Sequence, residues 1–429
     1  MSLYGMVQAT LRLGLKAYFA EVDSVGAAAD GPLLLLANHH NSMVDPFLVI
    51  AATSRPVSFI AKEPLFRKPL LGSILRGLHC IPAHRQQDAG YAKEKNEALY
   101  AAAAEALADG RAIGIFPEGK SHSDPRLAEF KRGASRIAFE AAVRGTPVRV
   151  QLVGIHFEVR RGFRGRALLQ FGPPLALDPY LDRYAQDPRE TTAALTADLQ
   201  SRLAEMIIAA GSRELVQLAD LVERMVAHEH DLKATFDHKK ALLERHDRLR
   251  ESAPRELDQL KRGLRRYRET LDLLGVRDDQ VAYDYPVGRT IRFALRNTIL
   301  LALSLPVLAV GLACNVLPYL VAWCVSRLST LPDRRATGGF TTAIFAFPLA
   351  WAALAWLSWR SFAWPGAAVT LAIAPLSGLV ALQWLDRWHV ILRATWGLWL
   401  AIVRPAARAR LRRMRGRLLR QLADLGARP

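Results

Sequence analysis

Cysteine is scarce: the chain has three in 429 residues, Cys80, Cys314 and Cys324. They share no paired spacing, and the last two lie in an apolar stretch. Neither a disulfide framework nor a cysteine-based metal site is supported. Acidic residues are also few, 40 Asp+Glu against 58 Lys+Arg, which leaves a formal net charge of +18. Such an excess favours anionic partners: nucleic acid, a membrane surface or phosphorylated small molecules. No basic platform interleaved with aromatics accompanies the charge, which argues against nucleic acid. A secretory pattern is missing from Met1 to Phe19, where no charged start precedes an unbroken apolar run.

Hydrophobic residues make up 51% of the chain, and 429 residues are too many for one ordinary core, so two or three regions are expected. Residues 1–24 read as an amphipathic helix with Leu3, Met6, Val7, Leu11, Leu15, Tyr18 and Phe19 on one face. That face suits either lipid or the helix's own domain. Residues 25–180 alternate short apolar runs with helical stretches, the pattern of an α/β domain. Strands are predicted at Leu33 to Leu36, Val57 to Ala61, Ala112 to Phe116, Val148 to Phe157 and Ala167 to Phe171. Residues 187–280 are highly charged, with apolar residues three and four apart. Two long helices broken near Pro254 are expected there as an antiparallel hairpin.

Residues 290–404 are apolar enough to be embedded in a membrane, which identifies the anionic partner as a lipid bilayer. Gly338 to Trp359 and Pro365 to Trp384 are each about the roughly 20 residues that a spanning helix needs. Thr298 to Val325 contains Pro306, Asn315 and Pro318 and reads as a re-entrant pair broken around Asn315 to Pro318. Arg327, Arg334 and Arg335 in the loop, and the arginines of the basic tail 405–429, place both on the cytoplasmic side together with the α/β domain. The chain thus reads as multi-pass, with an even number of crossings.

Chemistry concentrates where two of the apolar runs end. Leu33 to Leu36 runs into a polar loop holding His39, His40, Ser42 and Asp45. An imidazole can take a proton from a hydroxyl near neutral pH, and a carboxylate can fix its tautomer. No Ser or Cys lies in a nucleophile-elbow pattern nearby, so the pair reads as a base acting directly on a substrate hydroxyl. Gly77 to Arg85 ends in an arginine whose planar fork suits phosphate. Ile113 to Ser121 is a strand ending in the turn Pro117-Glu118-Gly119-Lys120, at the strand's C-terminal end where open α/β sheets bind ligands. Lys131 and Arg132 follow beside a helix N-terminus, a natural anion site.

Taken in order, these motifs resemble the HxxxxD glycerolipid acyltransferases, which include glycerol-3-phosphate and 1-acylglycerol-3-phosphate acyltransferases. The resemblance covers about residues 25–180. It implies His40 and Asp45 as the catalytic pair, Ser42 at the family's serine position, Arg85 in the second motif, Phe116 to Gly119 as the phosphate-binding third motif and Pro147 in the fourth. His39 stands where the family has Asn, which makes it the alternative base. Lys120 and Ser121 replace the usual Thr-Arg, a variant closer to the eukaryotic-type glycerol-3-phosphate/dihydroxyacetone-phosphate enzymes. The implied reaction moves a fatty acyl group from acyl-CoA or acyl carrier protein to glycerol-3-phosphate, with no cofactor and no metal. In it Arg85, Gly119 and Lys120 hold the acceptor phosphate, and Glu118 binds a glycerol hydroxyl or anchors a basic neighbour. A lysophosphatidate or other lysophospholipid acceptor, and a catalytically inert membrane scaffold, are the alternatives.

Overall fold

The computed structural model describes residues 3–84, 93–122, 124, 126–158, 163–208, 210–226, 231–283, 287–328 and 332–426. The chain divides into two compact units. One is Met1–Ala209 with Cys324–Thr341, the other Ala210–Trp323 with Thr342–Pro429.

In the first unit the elements follow as α1 (Leu3–Tyr18), β1 (Glu21–Val25), β2 (Leu33–Ala37), α2 (Val44–Ala52), β3 (Val57–Lys62), α3 (Glu63–Phe66), α4 (Pro69–Gly77) and β4 (Ile81–Ala83). After these come α5 (Lys93–Ala108), β5 (Ala112–Ile115), α6 (Gly133–Val143), β6 (Arg149–Phe157), β7 (Arg166–Phe171), β8 (Leu175–Ala176), α7 (Asp178–Gln186) and α8 (Pro188–Met206). Among the described residues the sheet has eight strands in the order β1-β7-β6-β2-β5-β3-β4, with β8 on β6. β2 lies between β5 and β6 and is parallel to both. All five of its residues are buried, as expected of a strand covered on both faces. Leu34, Leu36, Ile113 and Val150 form one side of the core with Leu107 of α5, Ile137 and Phe139 of α6, and Leu195, Leu199 and Leu203 of α8. α8 therefore completes the α/β domain, so the expected boundary near 187 moves to about 209. Asp187 starts that helix, its carboxylate accepting from the N–H groups of Arg189 and Glu190.

α1 packs on its own domain through buried Leu11 and Leu15. Its Gln8 and Arg12 side chains donate to the carbonyls of Ile50, Ala51 and Thr53, the last turn of α2 and its C-cap. Leu3, Met6 and Leu13 stay exposed.

Helices make up the second unit: α9 (Arg213–Val226), α10 (Leu232–Ser252), α11 (Pro254–Leu274), α12 (Asp278–Ala282), α13 (Val287–Leu303), most of α14 (Leu305–Leu328) and of α15 (Pro332–Val403), and α16 (Pro405–Gly426). The expected two-helix hairpin is α10 and α11, joined by α9 and α16 around Leu221, Leu257, Leu264 and Tyr267. The expected basic tail is largely helical, as α16. Leu411, Leu418 and Leu425 recur every seven residues and are buried in that core. Arg415 pairs with the carboxylate of Asp278, which also accepts from the Tyr267 hydroxyl at 2.7 Å. Burial pushes both the Tyr267 phenol and the Asp278 carboxyl up.

Leu305–Leu328 and Arg335–Val403 are long and apolar enough to cross a membrane, by length and composition. α15 turns back at Ala363, where φ is 55° and ψ −156°. The re-entrant break expected at Asn315 to Pro318 is absent, because α14 runs unbroken through both residues and the interruption lies at Ser304. Asn315 is instead a buried clamp between helices. Its Nδ2 donates to the carbonyls of Gly311 at 2.8 Å and Ala374 at 3.0 Å, and its Oδ1 accepts from Trp351 Nε1 at 2.9 Å.

Candidate active site

Parallel pairing sets Leu36 of β2 opposite Ile115 of β5, so the two chains leave the sheet side by side at their C-terminal ends. The first residue past β2 is Asn38. Its side chain copies a ladder rung, donating to the Ile155 carbonyl at 2.9 Å and accepting from the Ile155 N–H at 2.7 Å. His39 is thereby free to leave the sheet. Its ring stacks on Phe116 with centroids 4.0 Å apart, and Phe116 stacks in turn on Phe59 at 5.4 Å. Gly114 makes this stack possible, since a Cβ there would lie 2.5 Å from the Phe59 ring.

Asp45, in the first turn of α2, is fully buried. Its Oδ2 lies 2.9 Å from His39 Nδ1 and accepts from the backbone N–H groups of His40 and Asn41, each at 2.8 Å. An oxygen already receiving two N–H donors acts as an acceptor, so the proton shared with His39 sits on Nδ1, and in the neutral ring the lone pair is on Nε2. Among the described residues Nε2 has no partner.

This arrangement corrects the pairing expected from spacing. The imidazole that Asp45 orients belongs to His39, with five residues between them, and not to His40, with four. The additional residue is absorbed at Ser42, whose φ of 48° bends the loop back on itself. Ser42 is thus a turn residue of the loop. His40 is buried, meets Asp45 through its backbone, and points Nδ1 at the His122 carbonyl oxygen 3.3 Å away.

Glu118 is also buried, and both of its oxygens are occupied. Oε1 accepts from the His39 N–H at 2.7 Å, and Oε2 accepts from the Ala128 N–H at 2.9 Å and contacts His122 Nε2. Of the two roles considered, anchoring a basic neighbour is the one the geometry displays, and the neighbour is His122. The His122 N–H donates in turn to the His39 carbonyl at 3.2 Å, so the β5 turn holds His39 at both backbone groups. Spacing gave no role to His122; its position four residues after Glu118 is the signal that was there to read.

Gly119 has a φ of 69°, the left-handed region that favours glycine. Lys120 beside it is exposed, as are Lys131 and Arg132 just before α6. The Lys131 N–H donates to the Pro117 carbonyl at 2.7 Å, tying this turn to the start of α6. Arg85 lies outside the described residues. Burial pushes the Cys80 thiol up to about 11, leaving no thiolate near neutral pH. Among the described residues no three His, Cys, Asp or Glu side chains converge as metal ligands.

Residues 20–151 match the family model described as Acyltransferase. A 175-residue stretch, 39% of the chain, is 30% identical to glycerol-3-phosphate O-acyltransferase 2 of Saccharomyces cerevisiae and spans 23% of that protein. The chain thus spans about a quarter of the length of that relative. A 1-acyl-sn-glycerol-3-phosphate acyltransferase of Bacillus subtilis is 27% identical over 198 residues, 46% of this chain and 90% of the relative. The crystal structure of the 1-acyl-sn-glycerophosphate acyltransferase of Thermotoga maritima aligns with 47% of the chain and 78% of its own at 20% identity, with a TM-score of 0.35.

Proposed function

We propose, from the match of residues 20–151 to the Acyltransferase family model, that this chain is a membrane-bound enzyme of phospholipid biosynthesis, transferring a fatty acyl group from a thioester to the hydroxyl of glycerol-3-phosphate. The observation that carries the proposal is the pairing of His39 with the buried Asp45, with Nε2 left for substrate at the C-terminal end of the sheet. His39 Nε2 takes the acceptor hydroxyl proton while the oxygen attacks the thioester carbonyl. Collapse of the tetrahedral intermediate breaks the carbon–sulfur bond, and the imidazolium returns its proton to the departing thiolate. Asp45 holds the ring through Nδ1 and stabilises its charged form. The steps require no metal or other cofactor, and the thioester is carried by coenzyme A or acyl carrier protein.

Lys120, exposed next to the Gly119 turn, and the Lys131–Arg132 pair at the head of α6 are suited to the acceptor phosphate, and Arg85 is assigned to the same role. For Lys120→Ala we expect the acceptor KM to rise about ten-fold, the loss of roughly 1.4 kcal/mol of charge-assisted binding, with kcat nearly unchanged. Steady-state kinetics at varied acceptor concentration measures this. An unchanged KM removes Lys120 from the phosphate site.

The apolar helices would hold the site at the lipid surface, where the acyl product partitions. Trp356, Trp359 and Trp364 stand exposed around the Ala363 turn, with Arg360 over the Trp356 ring at 5.5 Å. Trp384 and Trp388 stack on one another about 20 residues later, so indoles recur at a separation of about 30 Å along the helix, the thickness of a hydrocarbon core. The α15 arms then cross and return, with the Arg327–Arg335 loop, the α/β domain and α16 in the cytoplasm. A cysteine at Ser361, in a background lacking the three native cysteines, should react with an impermeant maleimide only from the side opposite the α/β domain. Labelling from the same side would contradict the crossing.

A second acceptor is favoured by one observation: the Bacillus subtilis relative, matched over 90% of its length, is named for 1-acylglycerol-3-phosphate. Purified protein given labelled palmitoyl-CoA with each acceptor in turn separates the two. A lysophosphatidate product supports glycerol-3-phosphate, and a phosphatidate product replaces it with the monoacylated acceptor. Silence with both, and with an acyl carrier protein donor, leaves a catalytically inert membrane scaffold.

A further inference from the structure

The loop that carries the His39–Asp45 pair lacks one support of its own. Met43 stands at the N-cap of α2 and supplies no side-chain oxygen to the helix start. Ser42 just before it has the left-handed φ of 48°, a conformation unfavourable for a non-glycine residue. An arc of this kind persists only where its surroundings hold it. The hydroxyl that does so comes from nearly three hundred residues away. Thr337 Oγ1 accepts from the Met43 N–H at 3.1 Å and donates to the Asn41 carbonyl at 3.1 Å, closing a bridge across Ser42.

Thr337 lies in the first turns of α15, beyond the family-matched residues but inside the same compact unit as the α/β domain. It is seated there by Phe340, 2% exposed, whose ring meets Phe47 of α2 at 5.8 Å and Tyr18 of α1 at 5.6 Å. Asn41 is the residue whose N–H donates to Asp45 Oδ2 and whose carbonyl accepts from the Val44 N–H. A shift of the arc therefore moves the donors that fix the Asp45 carboxylate, and with them the His39 ring.

We infer that Thr337 is a positioning residue for the His39–Asp45 pair, through which the base of the apolar hairpin sets the geometry of the active loop. The inference rests on His39 and Asp45 being the reacting groups. It makes turnover depend on how α15 is seated, so the apolar region does more than hold the enzyme at lipid.

The test compares Thr337→Val, which keeps the shape and deletes the hydroxyl, with Thr337→Ser, which keeps the hydroxyl. Both are made in the full chain in phosphatidylglycerol/phosphatidylethanolamine vesicles. For Thr337→Val we expect kcat to fall about ten- to a hundred-fold, the range for a misplacement of up to about 1 Å at a reacting pair. Acceptor and donor KM should stay within about two-fold, and Thr337→Ser should restore most of kcat. Hydrogen exchange of the peptide covering 38–46, read without substrate, should speed up in Thr337→Val alone. Unchanged exchange overturns the inference whatever the acyl-transfer assay shows, and so does wild-type kcat in Thr337→Val. An equal loss in both variants with a lowered Tm also overturns it, since it marks a packing role. Should His39→Ala keep full turnover while the exchange result stands, the fault lies in the base assignment and not in the bridge.

Discussion

His39→Ala is expected to lower kcat for acyl transfer by about 10²- to 10⁴-fold, the usual contribution of a positioned general base, while His40→Ala keeps turnover within about ten-fold. The two adjacent imidazoles differ in what they touch. The His39 ring has Asp45 on Nδ1, Phe116 against its face and no described partner at Nε2. The His40 ring is buried edge-on against His122, with Nδ1 toward a carbonyl oxygen that can only accept. Losing that bond and the packing weakens the loop, so His40→Ala should show a lower Tm together with its modest loss of kcat. The measurement is kcat and thermal unfolding of both variants side by side, with Asp45→Asn as a third. Asp45→Asn should track His39→Ala in kcat, because an amide oxygen at Oδ2 keeps the donors but carries no charge to stabilise the imidazolium, and an NH₂ there would face three donors. A silent His40→Ala beside an active His39→Ala would return the base to the four-residue spacing.

The partner of Asp45 shows where sequence reasoning ran out: its side chain meets the ring of His39 and only the backbone of His40. Counting residues from Asp45 assumes a fixed path between base and acid. The path is set by a left-handed Ser42, which has no distinctive sequence signal in a serine. The strands that position the site were legible for the opposite reason: Leu33 to Leu36, Ala112 to Ile115 and Val148 to Phe157 are buried on both faces and read as apolar runs. β1 was not, because Glu-Val-Asp-Ser-Val is a polar edge strand held by its pairing with β7. The charged segment after 187 concealed α8, whose threonines and leucines face the core while its charges face water. α16 hid behind its arginines in the same way. Thr337 had no signal at all, since nothing local marks a residue whose partners lie nearly three hundred positions away.

Glu118→Gln is the second large effect, and the substitution looks conservative only on paper. Glu118 offers two acceptor oxygens to three donors, the N–H groups of His39 and Ala128 and the Nε2 of His122. An amide has one oxygen and one NH₂, so each of its two orientations sets a donor against a donor. With the NH₂ toward His39, the backbone N–H of His39 is left unpaired. With the NH₂ toward Ala128 and His122, the anchor between the β5 turn and the β2 loop is lost. Each buried donor left unsatisfied costs about 1–3 kcal/mol. We therefore expect Glu118→Gln to lower Tm and to reduce kcat about 10²-fold, as for displacement of a reacting group by about 1 Å, with acceptor KM changed less than about three-fold. Kinetics and thermal unfolding on one preparation decide it. A carboxylate that instead bound the acceptor's hydroxyl would give the reverse, a raised KM at unchanged Tm. His122→Ala sharpens the distinction, because it removes one donor and leaves Glu118 its two backbone partners. Its effect on both kcat and Tm should fall between wild type and Glu118→Gln, an ordering that follows from the anchor and from no substrate contact.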